Sequence, residues 1–168
     1  MHSLIAAILI FAACALAGNS AAKSIIGRAD ALDAVKTDMA AIKLQLKYSA
    51  APAPQMLSEL RELQHKQLWD AVAANIAVKS GDELWEAVVG EGVTGRLKQL
   101  SPEQLEPLRA FVCGMGTSDI ATQEKHMELC ILRAEQQASA NRKGSAERAK
   151  VARSLGMLAG IAGAILFV

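Results

Sequence analysis

Charge and apolar spacing divide this chain into three stretches. Residues 4–18 hold no charged side chain, and with 19–22 they reach the roughly 20 residues that a membrane-crossing helix needs. Residues 154–168 form a second uncharged stretch, short enough that Lys150 and Arg153 are expected to snorkel at its inner end. Between the two, apolar residues recur at helical spacing. Leu32, Val35, Met39, Ile42 and Leu46 follow one another at intervals of 3, 4, 3 and 4, the narrow stripe of a helix that packs on another helix over residues 30–48.

Ala50-Ala51-Pro52-Ala53-Pro54 then ends that helix, because proline bars the residue before it from the α region. A second helix is predicted from about 55 to 78, with Leu57, Leu60, Leu63, Leu68, Val72 and Ile76 inward and Trp69 beside them. Ser80 and Glu83 have the spacing of a capping box for a short helix carrying Leu84, Trp85, Val88 and Val89, and Gly90, Gly92 and Gly95 are read as the loop after it. Ser101-Pro102-Glu103-Gln104 is a complete helix start, with Ser as cap, Pro first and Gln three residues on. Leu105, Leu108, Phe111 and Val112 face inward. Residues 114–119 break the chain again, with Ser118 or Asp119 as cap for a last helix along Ile120, Met127, Ile131, Ala134 and Ala138. That helix is expected to run on into the second span, with Gly144 as its weak point.

Composition narrows the class. The chain is 52% hydrophobic and only 4% aromatic, dominated by Ala and Leu, and few of its runs alternate with period two. The expected fold is all-α: a bundle of about five to six helices over residues 23–150, flanked by an N-terminal membrane helix over 1–22 and a C-terminal one over 151–168. A net charge of +1 gives no nucleic-acid footprint.

The distribution of charge adds an orientation. Every Lys and Arg lies between positions 23 and 153, and Arg142, Lys143, Arg148, Lys150 and Arg153 crowd the second span. Bases within about 15–20 residues of a span end mark the cytosolic side. Both spans therefore place the middle in the cytosol and the termini across the membrane. A cleaved export signal is the rival for the first segment, but a signal wants bases before its apolar run, and only Met1, His2 and Ser3 precede this one. Phe11-Ala12-Ala13-Cys14 faintly resembles a lipoprotein cleavage site. Cleavage and lipidation both stay open at this point.

No catalytic constellation emerges. His126 and Cys130 share a helix face at i and i+4, but a zinc site normally takes four ligands, so an ordinary helix surface is expected. His65 is isolated in a polar stretch and is expected to face solvent. Cys14, Cys113 and Cys130 fit neither a disulfide framework nor a metal motif. Gly114 and Gly116 lack the Lys-Ser or Lys-Thr pair of a phosphate loop and read as a turn between helices. Gly156, Gly160 and Ala164, spaced by four, are candidates for close packing between membrane helices, as are Ala13 and Ala17. No cofactor or metal is expected.

Several segments together resemble a known family. Tyr48-Ser49-Ala50-Ala51-Pro52-Ala53-Pro54 follows the first cytosolic helix, and Leu84-Trp85-Glu86-Ala87 lies mid-chain. Phe111-Val112-Cys113-Gly114-Met115-Gly116-Thr117-Ser118-Asp119 precedes Gln123, and Ser154-Leu155-Gly156 opens the hydrophobic tail. In this order, with a span at each end, they resemble stage III sporulation protein AB of endospore-forming bacteria over nearly the whole chain. Ala51 and Ala53 stand where the family usually has Thr and Leu, and Met115 where it has Leu, a swap of similar volume.

The resemblance implies a role in sporulation, within an assembly in the mother-cell membrane around the forespore. It also implies a helical domain similar to the cytosolic domain of the type II secretion platform protein F, and a partner ATPase, stage III sporulation protein AA, on the cytosolic side. The expected function is a non-enzymatic membrane scaffold; the alternative is an exported helical binding module with a cleaved signal. Gly114, Gly116, Thr117, Asp119 and Gln123 are the candidate partner-binding residues. Homo-oligomerisation stays open.

Overall fold

Long stretches of Ala, Leu and charged helix formers with few breakers give long helices, and two dominate this chain. The computed structural model describes residues 2–49, 52–115 and 120–167. Among them lie six α-helices, one 3₁₀ helix and no strand: α1 (His2–Tyr48), α2 (Ala53–Glu59), α3 (Lys66–Asn75), α4 (Gly81–Gly92), the 3₁₀ helix (Gly95–Gln99), α5 (Pro102–Cys113) and α6 (Ile120–Phe167). The all-α fold expected from composition is what forms.

The first span and the stripe over 30–48 belong to one unbroken helix, because a lone Gly27 between them costs only about 1 kcal/mol and no proline intervenes. Likewise α6 continues through Gly144. Pro52 follows the end of α1 and sits as the N-cap of α2. The chain resolves into two compact units. One is formed by residues 1–29 and 140–168, the other by Asp30–Ser139.

The second unit holds the core. Met39, Ile42, Leu57, Leu68, Trp69, Val72, Leu84, Val88, Leu108, Phe111 and Met127 are buried together. Trp69 meets Phe111 edge-on, with ring centroids 6.0 Å apart, a favoured aromatic geometry. The cap at Ser101 forms as its sequence predicts: its hydroxyl accepts from the Gln104 N–H and the Gln104 side chain accepts from the Ser101 N–H.

Three local expectations are corrected. The helix predicted over 55–78 is two helices, separated at Leu60–His65, because Asp38 binds the backbone there. Ser80 is an N-cap in extended conformation without a side-chain hydrogen bond, so the Ser80–Glu83 capping box does not form. Gly90 and Gly92 are helical, and the turn falls at Gly95, whose φ of +56° suits glycine.

Both terminal helices carry a stretch long and apolar enough to cross a membrane. Only 17% and 11% of those stretches are buried inside the protein, which separates them from core helices.

Candidate functional site

An acid in an apolar stripe anchors the domain. Asp38 shares its face of α1 with Ala31, Val35 and Ile42, and it is only 2% exposed. Its Oδ1 accepts the Gln64 N–H at 2.9 Å. Its Oδ2 accepts the His65 N–H at 2.9 Å, the His65 ring at 3.1 Å and the Trp69 indole N–H at 3.2 Å. Burial alone would push this carboxyl up. The hydrogen bonds from the His65 ring, the Gln64 and His65 backbone and Trp69 outweigh it and hold the group below the usual carboxylate range. His65, expected in solvent, is therefore a half-buried partner of Asp38 that donates from Nδ1. A cavity of about 450 Å³ opens beside this junction, lined by the start of α3, Thr94, Gly95 and Arg96.

The end of α1 and the start of α6 form a second feature of the same unit. Lys47 bonds Glu124 at 2.8 Å and Lys43 meets Glu128 at 3.6 Å. Each side chain of the first pair stabilises the other's charge, raising Lys47 and lowering Glu124. A hollow of about 180 Å³ beside this ladder is lined by Leu46, Gln123 and Met127. Another of about 340 Å³ is lined by Ala40, Leu44, Tyr48 and Ile131. Leu44 and Tyr48, one turn apart, are 61% and 76% exposed. This apolar ridge was missed in the sequence, where nothing separates an outward Leu from an inward one at the edge of a stripe.

Of the predicted partner-binding residues, Gly116, Thr117 and Asp119 lie outside the described residues. Gln123 lines the smaller hollow. Gly114 ends α5 beneath the ring of His126, and its φ of −81° is one any residue adopts. Its need for glycine is space: a Cβ there would fall 2.3 Å from His126 Cδ2 and 2.6 Å from Nε2. His126 Nε2 lies 2.9 Å from the Ala110 carbonyl, so Nε2 carries the proton and donates. Cys130 is buried 3.6 Å from the same nitrogen, and burial pushes its thiol up. The His126–Cys130 face is thus an inner contact with α5 rather than surface. No group of three potential metal ligands occurs among the described residues.

The unit formed by the two chain ends is a helical hairpin joined by small residues. A Cβ on Gly18 would lie 2.8 Å from the Ala152 carbonyl oxygen and 2.9 Å from Gly156 Cα. One on Gly156 would lie 2.8 Å from Gly18 Cα and 2.9 Å from the Cys14 carbonyl oxygen. Gly160 faces Phe11, and Ala164 lines a shallow hollow of about 410 Å³ with Phe11, Ile161 and Ile165. Two backbones can approach this closely only where side chains are missing. Ala13 and Ala17, by contrast, point outward.

The family model for stage III sporulation protein AB matches residues 3–168. The chain belongs to the stage III sporulation protein AB family. Membership assigns it a role in sporulation, and the family is a structural one rather than a class of enzymes. With two candidate spanning helices, the family member is consistent with a membrane protein. No curated protein and no solved structure matches it.

Proposed function

We propose that this protein is a non-enzymatic scaffold of a secretion-like assembly in the mother-cell membrane around the forespore. Its helical domain stands in the cytosol and docks a partner ATPase, stage III sporulation protein AA, as type II secretion platform proteins would engage theirs. The exposed Leu44–Tyr48 ridge at the end of α1 carries this reading. It adjoins the Lys47–Glu124 ladder and the hollow of Gln123, at the start of the helix that follows residues 116–119. An apolar ridge rimmed by charge is the composition of a docking surface.

The cytosolic orientation rests on the absence of Lys and Arg outside positions 23–153. An intact N-terminus in the mature protein, read by mass, would support the anchor over an exported module with a cleaved signal.

The test is complementation. Cells whose only copy carries Leu44→Arg and Tyr48→Arg, accumulating at the normal level, should fail to complete spores. Normal spore counts from that variant would remove the ridge from the proposal.

A further inference from the structure

The two units differ in how they treat charge. Residues 1–29 and 140–168 hold seven bases, Lys23, Arg28, Arg142, Lys143, Arg148, Lys150 and Arg153, against one acid, Glu147. Asp30–Ser139 holds eleven Lys and Arg against sixteen acids. In that domain, Lys36, Lys43, Lys47, Lys66, Arg96 and Arg109 each reach a carboxylate. In the hairpin unit all seven bases are exposed. Lys23, Arg28, Lys143, Arg148, Lys150 and Arg153 pair with no carboxylate among the described residues.

The hairpin contacts place these bases in tiers. Gly18 faces Ala152 and Gly156, and Phe11 faces Gly160, so the two helices run antiparallel in a fixed register. Buried Ala22 and Ala149 continue the same seam. Carried along it, the register brings Lys23 level with Arg148 and Lys150, just past the uncharged stretches. Arg28 comes level with Arg142 and Lys143. The tiers are five to eight residues apart, or about 8–12 Å at the helical rise. That is close to the screening length of about 8 Å at physiological salt. With the two uncharged stretches in a bilayer, the first tier would stand at the depth of lipid headgroups and the second within their field.

From this geometry we infer that the collar is a recognition surface for anionic phospholipid headgroups. The inference rests on the membrane reading of the two terminal helices but not on ATPase docking. Orienting the chain requires bases on one side only. Lys23, Arg148 and Lys150, gathered at one level from both helices, supply in addition a ring of positive charge that no carboxylate among the described residues neutralises. The leaflet beside it does.

The experiment uses the full chain in phosphatidylcholine vesicles containing trace spin-labelled phosphatidylglycerol or spin-labelled phosphatidylcholine. The motionally restricted fraction gives the relative association of each lipid with the protein. Phosphatidylglycerol should be favoured about threefold or more, since each base near an anionic surface contributes a separate attraction. The preference should fall to near unity at about 1 M salt, where screening shortens to roughly 3 Å. It should fall likewise in the Lys23→Gln, Arg148→Gln, Lys150→Gln variant, whose helicity is checked by circular dichroism. Equal association of both lipids in the unaltered chain would overturn the proposal, as would a preference that survives the triple substitution or high salt. Binding of poly-glutamate to the unaltered chain without any lipid preference would also overturn it, assigning the collar to an acidic protein segment.

Discussion

Asp38→Ala is the substitution whose cost the structure specifies best. The carboxylate satisfies two backbone N–H groups at the start of α3, the His65 ring and the Trp69 indole. Gln64 is exposed and His65 is half-buried, so their donors can turn to water. Trp69 cannot, being fully buried. Its orphaned N–H costs about 1–3 kcal/mol. Loss of the carboxylate that binds the backbone before α3 adds about 0.5–2 kcal/mol, the range for a lost cap. The expected destabilisation is therefore about 2–5 kcal/mol, a drop of roughly 10 °C or more for a domain of this size. Asp38→Asn should be nearly as harmful, because its amide N–H₂ replaces an acceptor and faces donors. The assay is urea unfolding of the full chain in detergent micelles, followed by tryptophan fluorescence, which Trp69 makes sensitive to this junction. Midpoints for both variants within about 0.5 kcal/mol of the unaltered chain, at equal slope, would refute the anchoring role.

The same carboxylate gives a pH prediction. Its folded-state pKa lies below its unfolded value, so its stabilisation is present above about pH 4 and is lost as pH falls through the folded value. Acid should thus narrow the stability gap between the unaltered chain and Asp38→Ala, and a gap constant from pH 7 to pH 2 would contradict the charge argument. Gly114→Ala should displace the His126 ring and cost about 1–3 kcal/mol, the range for overpacking. His126→Ala should relieve most of that cost, a coupling measurable in a double-mutant cycle. Gly156→Val should part the hairpin where Gly18 and the Cys14 carbonyl lie against it. Spin labels at Ile8 and Leu166 should then report a longer or broader distance, and an unchanged distribution would show that the close approach is dispensable.

Much of this architecture was legible in the pattern of residues because the responsible signals are local. Ser101, Pro102 and Gln104 satisfy one another within a single turn, so their cap forms as read. The Leu32–Leu46 stripe and the two uncharged ends likewise follow from spacing alone. The break at Leu60–His65 did not, since it depends on a carboxylate more than twenty residues away whose hydrogen bonds replace a helical turn. A signal for it existed: an acid at position 38 in register with Ala31, Val35 and Ile42 has to be satisfied once buried. His65 and the His126–Cys130 pair were misplaced for the same reason, because polar side chains next to a core are positioned by tertiary partners. Gly114 was read as part of a turn between helices, but only the structure shows that it needs space beneath His126 rather than an unusual backbone angle.

Docking of an ATPase by the α1–α6 end of the domain is the central claim, and co-purification tests it most directly. Full-length protein, solubilised with its membrane, should retain stage III sporulation protein AA. The Tyr48→Arg and Thr117→Arg variants, each melting at the unaltered temperature, should lose it. Retention of the ATPase by both variants, or its absence from the unaltered protein, would contradict the account.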